Sequence, residues 1–260
     1  MTHYRSIFIS DIHIGIKYSR VEELLKFLKE NECETLYLVG DIIDGWALRR
    51  KWYWNNNYNL LIQKLLRKTR KGTNVVYITG NHDEFLRAFE IPITFGGIHI
   101  SNEEIHITAD GKRFLIIHGD KFDGLLNNMS WISHLGSWLY EFILWGSDKL
   151  TQLRRRMGFP YWSLSHVIKF KVKEAVKYMT NFEVAMILEA KRKGVDGVIC
   201  GHIHTPEIKT MPNGIIYMND GDWVETCSAL VEHYDGRWEI VYWTKAHDNV
   251  DTTPVSRKRK

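Results

Sequence analysis

Five short clusters of oxygen- and nitrogen-bearing side chains stand out in this 260-residue chain: Asp11-Ile12-His13, Gly40-Asp41-Ile42-Ile43-Asp44, Gly80-Asn81-His82-Asp83, His118-Gly119-Asp120 and Gly201-His202-Ile203-His204. They offer carboxylates, imidazoles and an amide, and no thiol. That set favours divalent ions of intermediate hardness, Mn²⁺, Fe²⁺ or Zn²⁺, over thiolate-seeking ones. One ion would leave several buried charges unsatisfied. Two ions, roughly 3.5–4 Å apart and sharing a bridging carboxylate, use the whole set. Taken singly, each cluster has a plain alternative: Asp-x-His is weak, Gly-Asn-His-Asp can be only a turn, and a lone His118 is more often a core histidine. Five in this order, each closing an apolar run, argue for a metal site.

The elements that must position them follow from hydropathy. Ser6–Ser10, Thr35–Val39 and Asn74–Thr79 read as buried strands, with helical spacing over Arg20–Lys29 and Tyr58–Lys71 between them. This alternation predicts a parallel core with right-handed crossovers. Ile98–Ile100, Ile105–Thr108 and Arg113–Ile117 read as shorter strands, the last two joined at Asp110-Gly111. Strand patterns resume at Gly197–Cys200 and Ile215–Met218. A closing hairpin, Ala229–Tyr234 with Arg237–Trp243, turns at Asp235-Gly236. Ligand crevices of open α/β sheets lie at the carboxyl ends of the strands, so the clusters should converge there. Asn219-Asp220-Gly221-Asp222-Trp223 either lines that site or only forms a turn.

These motifs resemble the calcineurin-like metallophosphoesterase pattern. The resemblance implies an α/β fold, a β-sandwich flanked by helices in αββα layers, with an inserted helical cap. It also implies roles. Asp11, His13 and His204 would bind one metal, Asn81, His118 and His202 the other, and Asp41 would bridge them. His82 would sit beside the phosphate, oriented by Asp44, as a cation or general acid. Two such ions would activate water for in-line attack at phosphorus while neutralising phosphoryl charge. The expected organisation is a body of residues 1–120 and 194–247, a cap of residues 121–193, and a disordered basic tail, 248–260.

The insert bears on the substrate. Trp131, Leu135, Trp138, Phe142 and Trp145 repeat at spacings of 4, 3, 4 and 3, one apolar helical face. Such a face packs on protein, or it meets acyl chains, where tryptophan is enriched. Arg154-Arg155-Arg156 follows, then Lys169, Lys173 and Lys177 on one face, either solvated or gathered around an anion. Arg154, Lys169, Lys173 and Trp46 are therefore candidate substrate contacts, with Trp46 either stacking on a base or buttressing its loop. Size, the Asp44-Gly45-Trp46 sequence and the helical insert are similar to the bacterial UDP-2,3-diacylglucosamine diphosphatases. That resemblance implies Mn²⁺, a lid clasping acyl chains, and cleavage of a UDP-linked diacylated sugar to UMP and a lipid monophosphate at the inner membrane face. The best-known members carry Arg where this chain has His82 and Glu where it has Asp44. A retained His82–Asp44 pair suits a poorer leaving group, hence a related lipid or sugar phosphate.

Composition agrees with an enzyme body under a basic insert. Lys and Arg total 35 against 31 Asp and Glu. Residues 121–193 hold twelve Lys/Arg and six Asp/Glu, a net of +6, the four-residue basic end adds +4, and the remaining stretches net −6. A basic excess confined to cap and tail does not suit a nucleic-acid partner. A phosphodiesterase acting on nucleic acid or nucleotides, a protein phosphatase and a non-catalytic scaffold are the rival readings; intact ligand positions weigh against the last. No obligate protein partner is inferred. Cys33, Cys200 and Cys227 make no disulfide framework. Neither a secretory leader nor an apolar run of about 18 residues is evident, so the expectation is a cytoplasmic protein, peripheral at the inner membrane face.

Overall fold

Alternation of buried side chains builds the central layer. Along β1 (Thr2–Ile9), Phe8 points one way and Ile7 and Ile9 the other, as the two-residue strand period requires. Phe8 joins Tyr37, Val39, Val76, Ile78, Phe114, Ile116, Ile199, Met218 and Leu230 in a core drawn from two sheets. Ile7 and Ile9 join Leu24, Phe27, Leu28, Leu61 and Leu65, so helices cover the opposite face of the first sheet. This computed structural model describes residues 1–123 and 164–243, and of residues 164–175 and 177 only the backbone.

The first sheet also contains β2 (Asn31–Val39), β3 (Asn74–Ile78), β4 (Ile93–Phe95), β5 (Ile98–Ser101), β11 (Ser228–Glu232) and β12 (Trp238–Tyr242), in the order β12-β11-β1-β2-β3-β5-β4. Its centre is parallel, as expected: Ile7 pairs with Leu36, and Leu36 with Val75. Helix α1 (Val21–Glu30) links β1 to β2. A short α2 (Gly45–Arg50) and α3 (Asn56–Arg70) link β2 to β3. The second sheet runs β6-β7-β8-β10-β9, from β6 (Glu103–Ile107), β7 (Arg113–Ile117), β8 (Gly197–Cys200), β9 (Glu207–Thr210) and β10 (Ile216–Asn219). Two sheets flanked by helices are the architecture the resemblance implied.

Several boundaries differ from the sequence expectation. Strand β1 begins at Thr2, four residues before Ser6, because Thr2, His3 and Tyr4 pair with Asn31, Glu32 and Cys33 of an equally extended β2. Strands β4 and β9 and helix α2 were not anticipated. Both strands are short and largely exposed, so they lack the apolar alternation that marks a strand. Helix α2 exists because Asp44 caps it, its Oδ1 accepting from the Ala47 amide at 2.7 Å.

The chain divides into two compact units, residues 1–120 with 187–260, and residues 121–186. Helix α4 (Leu164–Lys193) contributes to both. The tryptophan face Trp131–Trp145, Arg154 and the tail 248–260 lie outside the described residues, as do the side chains of Lys169 and Lys173.

Candidate metal centre

All five clusters lie in loops that leave the carboxyl ends of β1, β2, β3, β7 and β8. The β1–β2 ladder continues into its two loops: the amides of Asp11, His13 and Ile14 donate to the carbonyls of Gly40, Asp41 and Ile42 at 3.1, 2.9 and 2.8 Å. Parallel pairing therefore sets Asp11 and His13 beside Asp41. Five of the seven candidate ligands occupy the left-handed backbone region: Asp11, His13, Asp41, His202 and His204, at φ of 49°, 51°, 54°, 71° and 51°. Such residues are uncommon and cost about 1–3 kcal/mol each, strain that clusters where side chains must be aimed. Two motif glycines make room. A Cβ on Gly40, itself at φ +85°, would sit 2.4 Å from the His118 ring, and one on Gly80 2.2 Å from Asp41 Oδ1.

The ligand atoms converge as three groups, each within 4.8 Å: Asp11, His13 and His204; Asp41, His118 and His202; and His13, Asp41 and His82. Asp41 Oδ2 is shared, lying 3.9 Å from His13 Nε2, 3.3 Å from His118 Nε2 and 3.9 Å from His82 Nε2. Asp11 Oδ1 lies 3.0 Å from His204 Nε2 and 3.7 Å from His13 Nε2. The His82 amide donates to Asp41 Oδ1 at 2.9 Å, leaving Oδ2 toward the histidines. Asp44 serves two rings, with Oδ1 3.0 Å from His82 Nδ1 and Oδ2 3.3 Å from His13 Nδ1.

The donor set fits divalent cations. His118 Nδ1 donates to the Val39 carbonyl at 2.8 Å, which turns Nε2 toward the site as the nitrogen a metal would take. That Nε2 and Asn81 Oδ1 are buried and make no hydrogen bond among the described residues, so both are available to a metal. Titration behaviour points the same way. Against the cost of burial, Asp41 and Asp11 raise His118 well above the usual imidazole range, and Asp11, Asp44 and Asp41 push His13 up to about 10. Although burial opposes it, His204 and His13 hold the Asp11 carboxyl well below its usual range; His118 and His13 do the same for Asp41. The carboxylates thus demand nearby positive charge, which divalent ions would supply while displacing protons from the imidazoles.

Supporting residues have only faint signals in the sequence. Asp83 is wholly buried and clamps two loops: Oδ2 accepts from the Ile42 amide (3.1 Å) and Gly80 amide (3.3 Å), Oδ1 from the Ile43 amide (2.7 Å) and Tyr77 hydroxyl (2.8 Å). Burial and neighbouring Asp41 push its carboxyl up to about 6. Arg87 ties Thr79 to Asp120. Asp220, in the run after β10, reaches Ser10 beside Asp11, and burial raises its carboxyl well above the usual range. Trp46, of the candidate substrate contacts, stands with its ring 4.3 Å from that of His82, pinned by its indole N–H to Glu84 at 2.9 Å. It is 45% exposed.

Residues 4–206 match the family described as calcineurin-like phosphoesterase, most of the chain. The chain belongs to that family. It is accordingly a phosphoesterase, a hydrolase whose family implies divalent metal ions. The chain is similar to the UDP-2,3-diacylglucosamine hydrolase of Aliivibrio fischeri (strain MJ11), 24% identical over 238 residues that cover 86% of this chain and 92% of the relative. It is likewise 23% identical to the enzyme of that name from Wigglesworthia glossinidia brevipalpis, over 96% of this chain and 98% of the relative. Among solved structures, a hypothetical protein from Pyrococcus horikoshii OT3 superposes with a TM-score of 0.50 at 10% identity, covering 98% and 95% of the two chains. That likeness concerns the fold alone.

Proposed function

We propose that the chain is a dinuclear-metal phosphohydrolase that cleaves the pyrophosphate of UDP-2,3-diacylglucosamine, giving UMP and a lipid monophosphate. The observation that carries the chemistry is the convergence, on one edge of two sheets, of six of the seven candidate ligands, Asp11, His13, Asp41, His118, His202 and His204, five of them with left-handed backbone. Asp11, His13 and His204 would hold one ion; Asn81, His118 and His202 the other; Asp41 both. The ions, Mn²⁺ by preference over Fe²⁺ or Zn²⁺, supply Lewis acidity and lower the pKa of water. Within the site His82 places a ring N–H beside the phosphoryl group, and Asp44 holds that ring's opposite nitrogen.

The substrate reading rests on the names of the distant relatives and on the insert's tryptophan and basic residues, Arg154, Lys169 and Lys173 among them. Residues 121–193 are the proposed cap for the acyl part. A membrane-peripheral setting at the cytoplasmic face fits an acylated substrate, and exposed Arg49, Arg50, Lys51 and the 71%-exposed Trp52 support it as an aromatic and basic stretch. The His82–Asp44 contact favours a second reading, a related lipid or sugar phosphate whose leaving oxygen needs a proton.

Incubating the Mn²⁺-loaded protein with UDP-2,3-diacylglucosamine and identifying the products by mass spectrometry separates the two. UMP with lipid monophosphate is the expected outcome. No turnover of that substrate, alongside dephosphorylation of a simple lipid or sugar phosphate, would favour the second reading.

A further inference from the structure

Ser10 Oγ is wholly buried and has three oxygens at bonding distance: Asp11 Oδ2 at 2.5 Å, Asp220 Oδ1 at 2.7 Å and the Gly221 carbonyl at 3.0 Å. A hydroxyl has one hydrogen to give and two lone pairs with which to accept. If both aspartates were ionised, at least one charged oxygen would face the Ser10 oxygen with no proton between them. A proton on Asp220 would separate the two charges, with Asp220 donating to Ser10 and Ser10 to Asp11, the Gly221 carbonyl being the longer third contact. Asp220 is itself completely buried, and its Oδ2 meets no hydrogen-bond partner among the described residues.

The far end of this relay is a candidate ligand. Asp11 Oδ2 accepts from Ser10 and also from the His202 amide at 2.9 Å, whereas Oδ1 faces His204. Two donors on one oxygen fix the carboxylate plane and leave the other oxygen for the cation. Sequence separates Ser10 from Asp220 by 210 residues: Ser10 follows β1 of the first sheet, whereas Asp220 follows β10 of the second, held beside β8 by its amide donating to the Cys200 carbonyl at 3.1 Å.

We propose that Asp220 is a positioning residue for the metal centre, acting as a carboxylic acid that donates to Ser10 so that Ser10 holds Asp11 with Oδ1 toward the ion. This rests on the dinuclear-metal reading above. It assigns Asp220 no contact with substrate.

Calorimetric titration of metal-stripped protein with MnCl₂ tests it, with folding checked by circular dichroism. Asp220→Asn keeps an N–H donor toward Ser10 and should hold two Mn²⁺ as tightly as the wild type. Asp220→Leu removes the donor at similar volume. It should weaken one of the two ions by about 10- to 100-fold, the usual range for outer-shell partners. Ser10→Ala should give the same loss, and it replaces Asp220→Leu if that variant does not fold. Wild-type affinity in both Asp220→Leu and Ser10→Ala would overturn the proposal, as would an Asp220→Asn protein as weak as Asp220→Leu. Those results leave the dinuclear reading intact. A wild type that takes up no Mn²⁺ would overturn both.

Discussion

His82 Nδ1 lies 3.0 Å from Asp44 Oδ1, an ion-pair contact rather than an aligned hydrogen bond. The same carboxylate reaches His13 Nδ1 with its other oxygen and caps α2. Against burial, His13 and His82 beside it hold its carboxyl far below the usual range. One aspartate thereby couples a candidate ligand to the group proposed as proton donor.

If His82 protonates the leaving oxygen, its removal matters most where that oxygen is basic. His82→Ala should lower kcat by about 10²–10⁴ on a phenyl or alkyl phosphodiester, and by much less on a p-nitrophenyl ester. Steady-state kinetics over a leaving-group series checks this. Equal losses across the series would assign His82 an electrostatic role only.

Asp83 joins the β2 and β3 loops through four hydrogen bonds and is wholly buried. Asp83→Ala strands several buried donors, each worth about 1–3 kcal/mol. Denaturant unfolding of the metal-stripped protein should show a loss of about 3 kcal/mol or more. A loss below about 1 kcal/mol would mean that other contacts hold the loops.

Glu232 ties the two sheets together: it accepts from Arg5 of β1 at 2.7 Å, from the Ala109 amide at 2.7 Å, and lies 2.8 Å from His106 Nε2 of β6. Burial raises its pKa, but His106, the Ala109 amide and Arg5 outweigh it, so the folded value lies below the usual one. A carboxyl lowered on folding stabilises above its unfolded pKa, about 4.3. That stabilisation is lost as pH falls through the folded value. Glu232→Gln should be less stable than wild type at pH 7, and the gap should narrow below about pH 4. A gap independent of pH would remove the electrostatic account.

The stretch from Arg49 to Trp52 provides the membrane test. An Arg49→Ala/Arg50→Ala/Lys51→Ala protein should lose co-sedimentation with anionic vesicles by about 1 kcal/mol per basic residue while turning over a soluble diester normally. Unchanged vesicle binding would detach this stretch from the membrane reading.

The loops of the metal centre were legible because their chemistry is local. Gly, Asp and His close each strand, and the strand's apolar run marks where it ends. The two sheets were less legible than the resemblance suggests. Nothing in Ile93–Phe95 or Glu207–Thr210 signals a strand, since those edges are defined by the neighbours they pair with. Asp44 was read for its chemistry, which hid its service as a helix cap. The contacts of Ser10 with Asp220 and of Glu232 with His106 join residues more than 120 positions apart. Only the folded arrangement of strands reveals them.

In the proposed mechanism Asp41 would be held in common by two metal ions whose Lewis acidity the hydrolysis requires. Release of p-nitrophenol from bis(p-nitrophenyl) phosphate by metal-stripped protein titrated with MnCl₂, compared between wild type and Asp41→Asn, tests it most directly. No activity is expected without metal, Mn²⁺ should restore it in the wild type, and none should return in a well-folded Asp41→Asn protein. Full activity in the metal-replete Asp41→Asn protein, or turnover that persists in chelator, would contradict it.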